Sequence, residues 1–302
     1  MKVWLFLVCL ISFTGGVYAQ YIPKEGAVIY TNVQDALMKD PEATEMNLRD
    51  KHIFHVDPDI QQLTNLRFLN LMRNNFETVD EEVFALKELR DLNLRTNKLN
   101  SLPAQIGTFK HLERLNLAKN NLAKLPPEIG QLKHLKYLHL SVNVLITFPE
   151  EIATCKSLES LDLQNNQFSY LPSSITKLKK LKDINLGYNQ FHEIGTNVCK
   201  IKNLEVLNLE NNYIKKLPEN IGQLKKLKTL VLTNNQLIEV PESIVEMKSL
   251  ELLVVSNNQL TKLPQNMDQL KQLKTLIAIK NNFSDEEKER IRKMLPNCTV
   301  YL

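Results

Sequence analysis

Residues 112–134 read LERLNLAKNNLAKLPPEIGQLKH, and the spacing of their apolar positions decides the fold. Leu115 and Leu117 flank a single residue, the two-residue period of a strand, whereas Ile129 and Leu132 stand three apart, as a helical or 3₁₀ turn requires. Between them come Asn120, Leu122, Leu125 and Pro126. The same frame, L-x-x-L-x-L-x-x-N, extends in both directions. Asparagine recurs at Asn74, Asn97, Asn120, Asn143, Asn166, Asn189, Asn212, Asn235, Asn258 and Asn281, each 23 residues after the last, and a leucine stands eight residues before every one, from Leu66 to Leu273. One rung cannot bury its own leucines, so the rungs must stack, leucine on leucine. Each repeat asparagine begins where the strand turns a corner inside the stack, and its amide is placed to satisfy backbone groups that the turn leaves unpaired.

With L-P-x-x-I-x-x-L in its second half, this frame resembles the leucine-rich-repeat family in its 23-residue form, over residues 43–283. The resemblance implies an α/β fold: a right-handed parallel solenoid, the leucine-rich-repeat horseshoe, with strands on the concave face and 3₁₀ or short helical turns on the convex face.

The amino terminus sets the expected compartment. Met1 and Lys2 precede an apolar run from Val3 to Phe13, and Gly15, Gly16, Val17, Tyr18 and Ala19 follow, a pattern that fits a secretory signal peptide over residues 1–19. The run is shorter than the roughly 20 residues of a membrane span, and no other stretch approaches that length, so no membrane span is expected. Removing Lys2 with the leader leaves 37 basic against 34 acidic residues, a formal charge of +3, which is no strong pull toward nucleic acid. Cys155 and Cys199 fall almost two rungs apart, nearly 10 Å at about 5 Å per rung and beyond the ~7 Å a disulfide tolerates, so they and Cys298 read as small buried side chains.

The end rungs need covers, because they would otherwise expose leucines and strand edges. Residues 20–65 are expected to form an amino-terminal cap, with a short helix from Asn32 to Lys39 and a degenerate rung of Ala43, Met46 and Leu48 that has Lys51 in place of the asparagine. The solenoid proper, ten strands, spans residues 66–283. Residues 284–302 form the carboxy-terminal cap, with Ser284 and Glu287 as a capping box, an amphipathic helix over 285–295 turning Ile291, Met294 and Leu295 inward, and a last strand.

No segment is left over for a catalytic domain, so function is expected on a surface of the solenoid, and no enzyme activity or cofactor is expected. The residue between the two strand leucines reads Asn70, Asn93, Asn116, His139, Asp162, Asn185, Asn208, Val231, Val254 and Ile277. This column turns apolar at Val231, and Leu252 and Ile279 enlarge that end into an expected exposed patch, the kind of surface that marks a contact. Phe68, Met72, Tyr137, Tyr188 and Tyr213 are further expected contacts on the same face, since large aromatics carry much of the energy of protein interfaces. His139 and Asp162 are neighbours there, without the serine or cysteine a nucleophilic site needs.

Two other patterns are read as structural. Nine lysines, Lys87 to Lys271 at the repeat period, resemble a polyanion track. Three residues beyond each, charge alternates through Glu113, Lys136, Glu159, Lys182, Glu205, Lys228, Glu251 and Lys274, so a solvated ladder is expected in which every second column lysine has a glutamate beside it and those glutamates also face lysines on the rungs above and below. His52, His55, Asp57 and Asp59, and separately His111 with His134, lack the ligand count of a zinc motif, and no metal is expected.

The leader, the segment Tyr30 to Leu48 and the L-P-x-x-I repeats are together similar to the secreted leucine-rich-repeat proteins of pathogenic spirochaetes. That likeness implies a secreted or surface-exposed protein that binds a protein ligand, a host surface or matrix protein, in the manner of adhesins. The alternative is a structural or periplasmic subunit that forms a homodimer through Val231, Val254 and Ile277.

Overall fold

The computed structural model describes residues 28–302, and the expected leader, with the first residues of the expected cap, lies outside them. The described chain divides into two compact units, residues 28–166 and 167–302. In the first, strands β1 (Ile29–Tyr30), β2 (Glu45–Asn47), β3 (Phe68–Asn70), β4 (Asp91–Asn93), β5 (Arg114–Asn116), β6 (Tyr137–His139) and β7 (Ser160–Asp162) lie parallel in chain order. In the second, β8 (Asp183–Asn185), β9 (Val206–Asn208), β10 (Thr229–Val231), β11 (Leu252–Val254), β12 (Thr275–Ile277) and β13 (Thr299–Tyr301) do the same. Each is a parallel solenoid whose sequence period is also its register: Leu69 pairs with Leu92, Leu92 with Leu115, and Leu230 with Leu253. Their side chains point away from the outward face and are fully buried.

Opposite the strands, each rung makes one 3₁₀ turn, for example Pro127–Gln131, Glu150–Thr154 and Glu242–Glu246. Successive turns pack so closely that a Cβ on Gly130 would collide with the carbonyl oxygen of Glu151 on the next rung. Phe76, Phe109, Phe168 and Phe191 fill the remaining space at the core of their rungs.

The repeat asparagines do the work expected of them. Asn120 Nδ2 donates to the carbonyls of Leu94 on the preceding rung (3.1 Å) and Leu117 on its own (3.0 Å), while its Oδ1 accepts from the Leu99 N–H (3.1 Å). Asn143, Asn212, Asn235 and Asn258 repeat this set. Each is almost wholly buried. The degenerate rung has Lys51 in place of asparagine, and Asn74 accepts from its Lys51 and Ile53 N–H groups as the later asparagines do from the rungs before them.

Turning the corner imposes a backbone demand just before each asparagine. Arg73, Thr96, Lys119, Val142, Asn165, Tyr188, Asn211, Asn234, Asn257 and Lys280 all have φ between 53° and 59°. Asparagine tolerates this left-handed region, but a β-branched residue there is strained, and Thr96 at 59° and Val142 at 58° are such cases.

Helix α1 (Val33–Lys39) starts at Asn32, whose Oδ1 accepts from Asp35 N–H, and buries Val33 and Ala36. Helix α2 (Asp285–Met294) is capped by Ser284 as expected, with Ile291 and Leu295 buried and Met294 half-buried. The capping box is completed differently. Glu287 turns its carboxylate to the Leu263 N–H (2.9 Å) and to Arg290, whose Nη2 also donates to the Leu263 carbonyl (2.6 Å). The expected local bond becomes a clamp between helix and solenoid, in which Glu287 and Arg290 together satisfy both backbone groups of Leu263.

Replacing Asn120 with alanine strands the Leu99 N–H in a dry interior and takes one of two carboxamide donors from the Leu94 and Leu117 carbonyls, which keep Asn97 and Asn143, and should lower stability by about 1–3 kcal/mol, read by urea unfolding. Val142→Asn should raise the melting temperature, by about 1 kcal/mol in stability, because asparagine relieves the left-handed strain. Unchanged unfolding in either variant would contradict the corner geometry described here.

Candidate binding face

On each strand, the residues flanking the buried leucines project from the outward face of the sheet. In the column between the leucines, the polar members have a backbone task. The Oδ1 atoms of Asn70, Asn93, Asn116 and Asp162 accept from the N–H two residues on, at 3.0, 3.0, 3.1 and 3.1 Å. Asn185 and Asn208 do the same in the second unit, at 3.2 and 3.0 Å. These Asx turns satisfy a strand-exit N–H that the corner leaves without a ladder partner. His139 and Asp162 are buried, and His139 is pushed down to about 4, first by burial and then by Arg95.

The column before the first strand leucine, from which the sequence offers Phe68, Tyr137 and Leu252 as contacts, also carries charged residues that the aromatic criterion misses. It brings Asp91, Arg114 and Tyr137 onto adjacent strands, with the Arg114 guanidinium 5.2 Å from the Tyr137 ring centre. Burial pushes Asp91 up to about 7, against the opposing pull of Arg114. The signal was available: these residues stand two before the central column, so the strand period places them on the same face. Tyr137 and Met72 are half-buried on this face, whereas Phe68 is buried.

Four expected contacts lie beyond the strand ends, Met72 and Ile279 two residues past the central column and two tyrosines further on. Tyr188 occupies the left-handed corner position, and Tyr213 follows the buried Asn212 and stacks on His192 with ring centres 5.3 Å apart. Both are exposed, but they belong to the loop that leaves the sheet.

In the second unit the column changes as the sequence indicated, but the expected exposed patch is buried. Val231 is 2% exposed, Leu252 8%, Val254 1% and Ile277 2%, and they form one apolar cluster with half-buried Ile279 against it. The register sets Val231 beside Val254 and Val254 beside Ile277, so the branched side chains pack on one another across the strands.

The lysines of the outer face are also arranged differently. Column lysines cap their own 3₁₀ turns: Lys110 on the Gly107 carbonyl (2.6 Å), Lys133 on Gly130 (2.7 Å) and Lys179 on Thr176 (2.7 Å). Ion pairs form within the alternating column, Lys136 to Glu113 (2.7 Å) and Lys228 to Glu205 (2.6 Å), each lysine reaching one rung back. These pairs join neighbouring rungs, as the alternation of charge along that column predicts, whereas Lys110, Lys133 and Lys179 take carbonyls of their own turns.

Among the described residues no group of three or more His, Cys, Asp and Glu is arranged to hold a metal, and no helix is long and apolar enough to cross a membrane. His111 and His134 lie with ring centres 6.3 Å apart, and His55 pairs with Asp80 at 2.9 Å. Cys155, Cys199 and Cys298 are free thiols, and burial pushes the first two up to about 11, which leaves little thiolate.

A stacked parallel sheet with a continuous outward face in each unit defines a repeat scaffold of the protein-interaction class. Comparison with known proteins agrees. Models described as "leucine-rich repeat region" and "leucine rich repeat" match residues 185–299 and 110–168. A leucine-rich-repeat protein of Leptospira interrogans is 34% identical, with 86% of this chain and 84% of that one covered and a TM-score of 0.56. The functional domain of InlJ from Listeria monocytogenes is 25% identical, with 85% of this chain covered and a TM-score of 0.70. A plant peptide hormone receptor, RGFR1 in complex with RGF2, is 26% identical, with 88% covered and a TM-score of 0.71. The chain spans 52% and 45% of those two structures. No curated protein matches it. The chain belongs to the leucine-rich-repeat family and resembles its bacterial members.

The two buried titrating groups act in opposite directions on stability. Between about pH 4 and 7 the unfolded chain releases the Asp91 proton while the folded chain keeps it, so this contribution falls as pH rises and is level above the folded value. Between 6.5 and about 4 the unfolded chain takes up a proton at His139 that the folded chain refuses, so that contribution falls as pH falls. Asp91→Asn should stabilise at pH 8 and change little at pH 4, whereas His139→Gln should flatten the acid limb, each by more than about 1 kcal/mol. Parallel pH profiles of melting temperature for wild type and Asp91→Asn would show that Asp91 is ionised on its strand.

Proposed function

We infer that the protein is an exported recognition module that holds a partner protein, a host surface or matrix component, on the outward face of its sheet, without catalysis. One observation carries the reading. Val231, Val254 and Ile277 stand where Asn185 and Asn208 accept a strand-exit N–H, and an aliphatic side chain cannot make that bond. Local chemistry favours an Asx residue there, and departures from such a rule cluster at functional sites. The half-buried Ile279, packed against the cluster, would supply the apolar contact and the cluster would hold it in place, with polar and aromatic groups such as Met72, Tyr137, Tyr188 and Tyr213 as further contacts on their own units.

Supporting the wider reading are the apolar run with its V-Y-A ending, which suits export, and the resemblance to the functional domain of InlJ and to a peptide hormone receptor solved in complex with RGF2. Free thiols and the lack of a grouped metal set among the described residues suit binding better than chemistry.

The sharpest test is Val254→Asn, which installs the residue that Asn208 shows the column accepts. The mature chain and this variant are titrated against a panel of purified matrix and cell-surface proteins, with melting temperature measured alongside. Saturable binding to a panel member that weakens at least about tenfold, at unchanged melting temperature, supports recognition. A dimer by sedimentation that the variant dissociates would instead make the cluster a contact between copies. A large fall in melting temperature would make it core.

A further inference from the structure

The rung at 142–147 departs from its neighbours on a different surface, the corner where the chain leaves the sheet. Val142, Val144 and Ile146 are exposed there by 38%, 42% and 57%, where the preceding rung carries Lys119, Asn121 and Ala123. The intervening Asn143 and Leu145 point into the core, so three β-branched side chains project from one edge. An exposed apolar group of this kind in a soluble protein marks a contact surface.

Val142 carries a second cost. Its N–H donates to the Gln164 carbonyl (2.8 Å) and its own carbonyl accepts from Asn120 N–H (3.2 Å), which holds φ at 58°, a conformation that a β-branched residue resists. Stacking does not ask for valine here, since lysine and asparagine occupy the same position on the rungs before and after. Strain kept at an exposed apolar site is a feature of ligand contacts.

Charge narrows the partner. Residues 119–124, KNNLAK, and 142–147, VNVLIT, contain no carboxylate, and the exposed Lys119 and Lys124 lie one rung before Val142 and Thr147. We propose that this corner binds an acidic peptide segment of a partner protein, with one aliphatic or aromatic side chain seated on Val144 and Ile146 and carboxylates facing Lys119 and Lys124. The contact is independent of the sheet-face reading, and it gives the solenoid a second binding surface.

The probes are labelled short peptides rich in Asp and Glu with one central Leu or Trp, compared with the same peptides carrying Ala at the anchor and with Lys-rich peptides carrying the anchor. Fluorescence anisotropy with the mature chain should show saturable binding of the anchored acidic peptides alone, weakened by salt. Ile146→Asp and Lys119→Glu should each weaken it at least about tenfold. Val142→Asn should weaken binding while raising the melting temperature, and Val254→Asn should leave binding unchanged, which separates this corner from the sheet face. Equal binding of the Ala or Lys-rich peptides, or full binding by Ile146→Asp, overturns the proposal. So does a dimer that Ile146→Asp dissociates, which would identify a second copy as the occupant.

Discussion

The structure depends on one buried carboxamide per rung. A parallel stack of short strands must turn every few residues, and each turn leaves an N–H and two carbonyls in a space too small and apolar for water. The repeat asparagine supplies two donors and one acceptor at that point, and it bonds to its own rung and the one before. It therefore corrects the local deficit and fixes the rung spacing together. The leucines add burial, but they would tolerate small slips that this carboxamide does not. The left-handed residue before it follows from the same demand, because only that φ brings the amide inside.

Once the corner is set, the other polar groups become legible as solutions to the same kind of problem. Asx side chains on the outward face satisfy the N–H at the strand exit. Lysines on the outer face satisfy the carbonyls at the ends of the 3₁₀ turns. Both columns look functional in the sequence because they are regular, charged or polar, and solvent-facing. Their regularity is in fact the mark of a repeated structural need. Sites that break the pattern are then the informative ones: Val231, Val254 and Ile277 where Asx oxygens are wanted, and Val142, an exposed apolar side chain at a corner that elsewhere carries polar residues.

What the sequence determined by itself was everything carried by the period. Twenty-three residues per rung put Leu92 beside Leu115 and Val231 beside Val254, and assigned strand, corner and outer turn before any coordinate was known. It placed the two capping helices, through Asn32 and Ser284. A one-dimensional repeat specifies which residues share a column, and in a solenoid a column is already a tertiary neighbourhood. Only the tertiary structure decided how deep each column lies and which of several partners within reach a polar atom takes. Phe68 and the valine cluster proved buried, Tyr188 and Tyr213 proved to sit beyond the strands, and Lys110 took the Gly107 carbonyl of its own turn. Glu287 left its own helix end for Leu263, and Asp91 acquired its raised affinity for a proton from burial. Burial and partner choice depend on distances across rungs and on backbone φ, and a pattern of residue types, however regular, does not contain them.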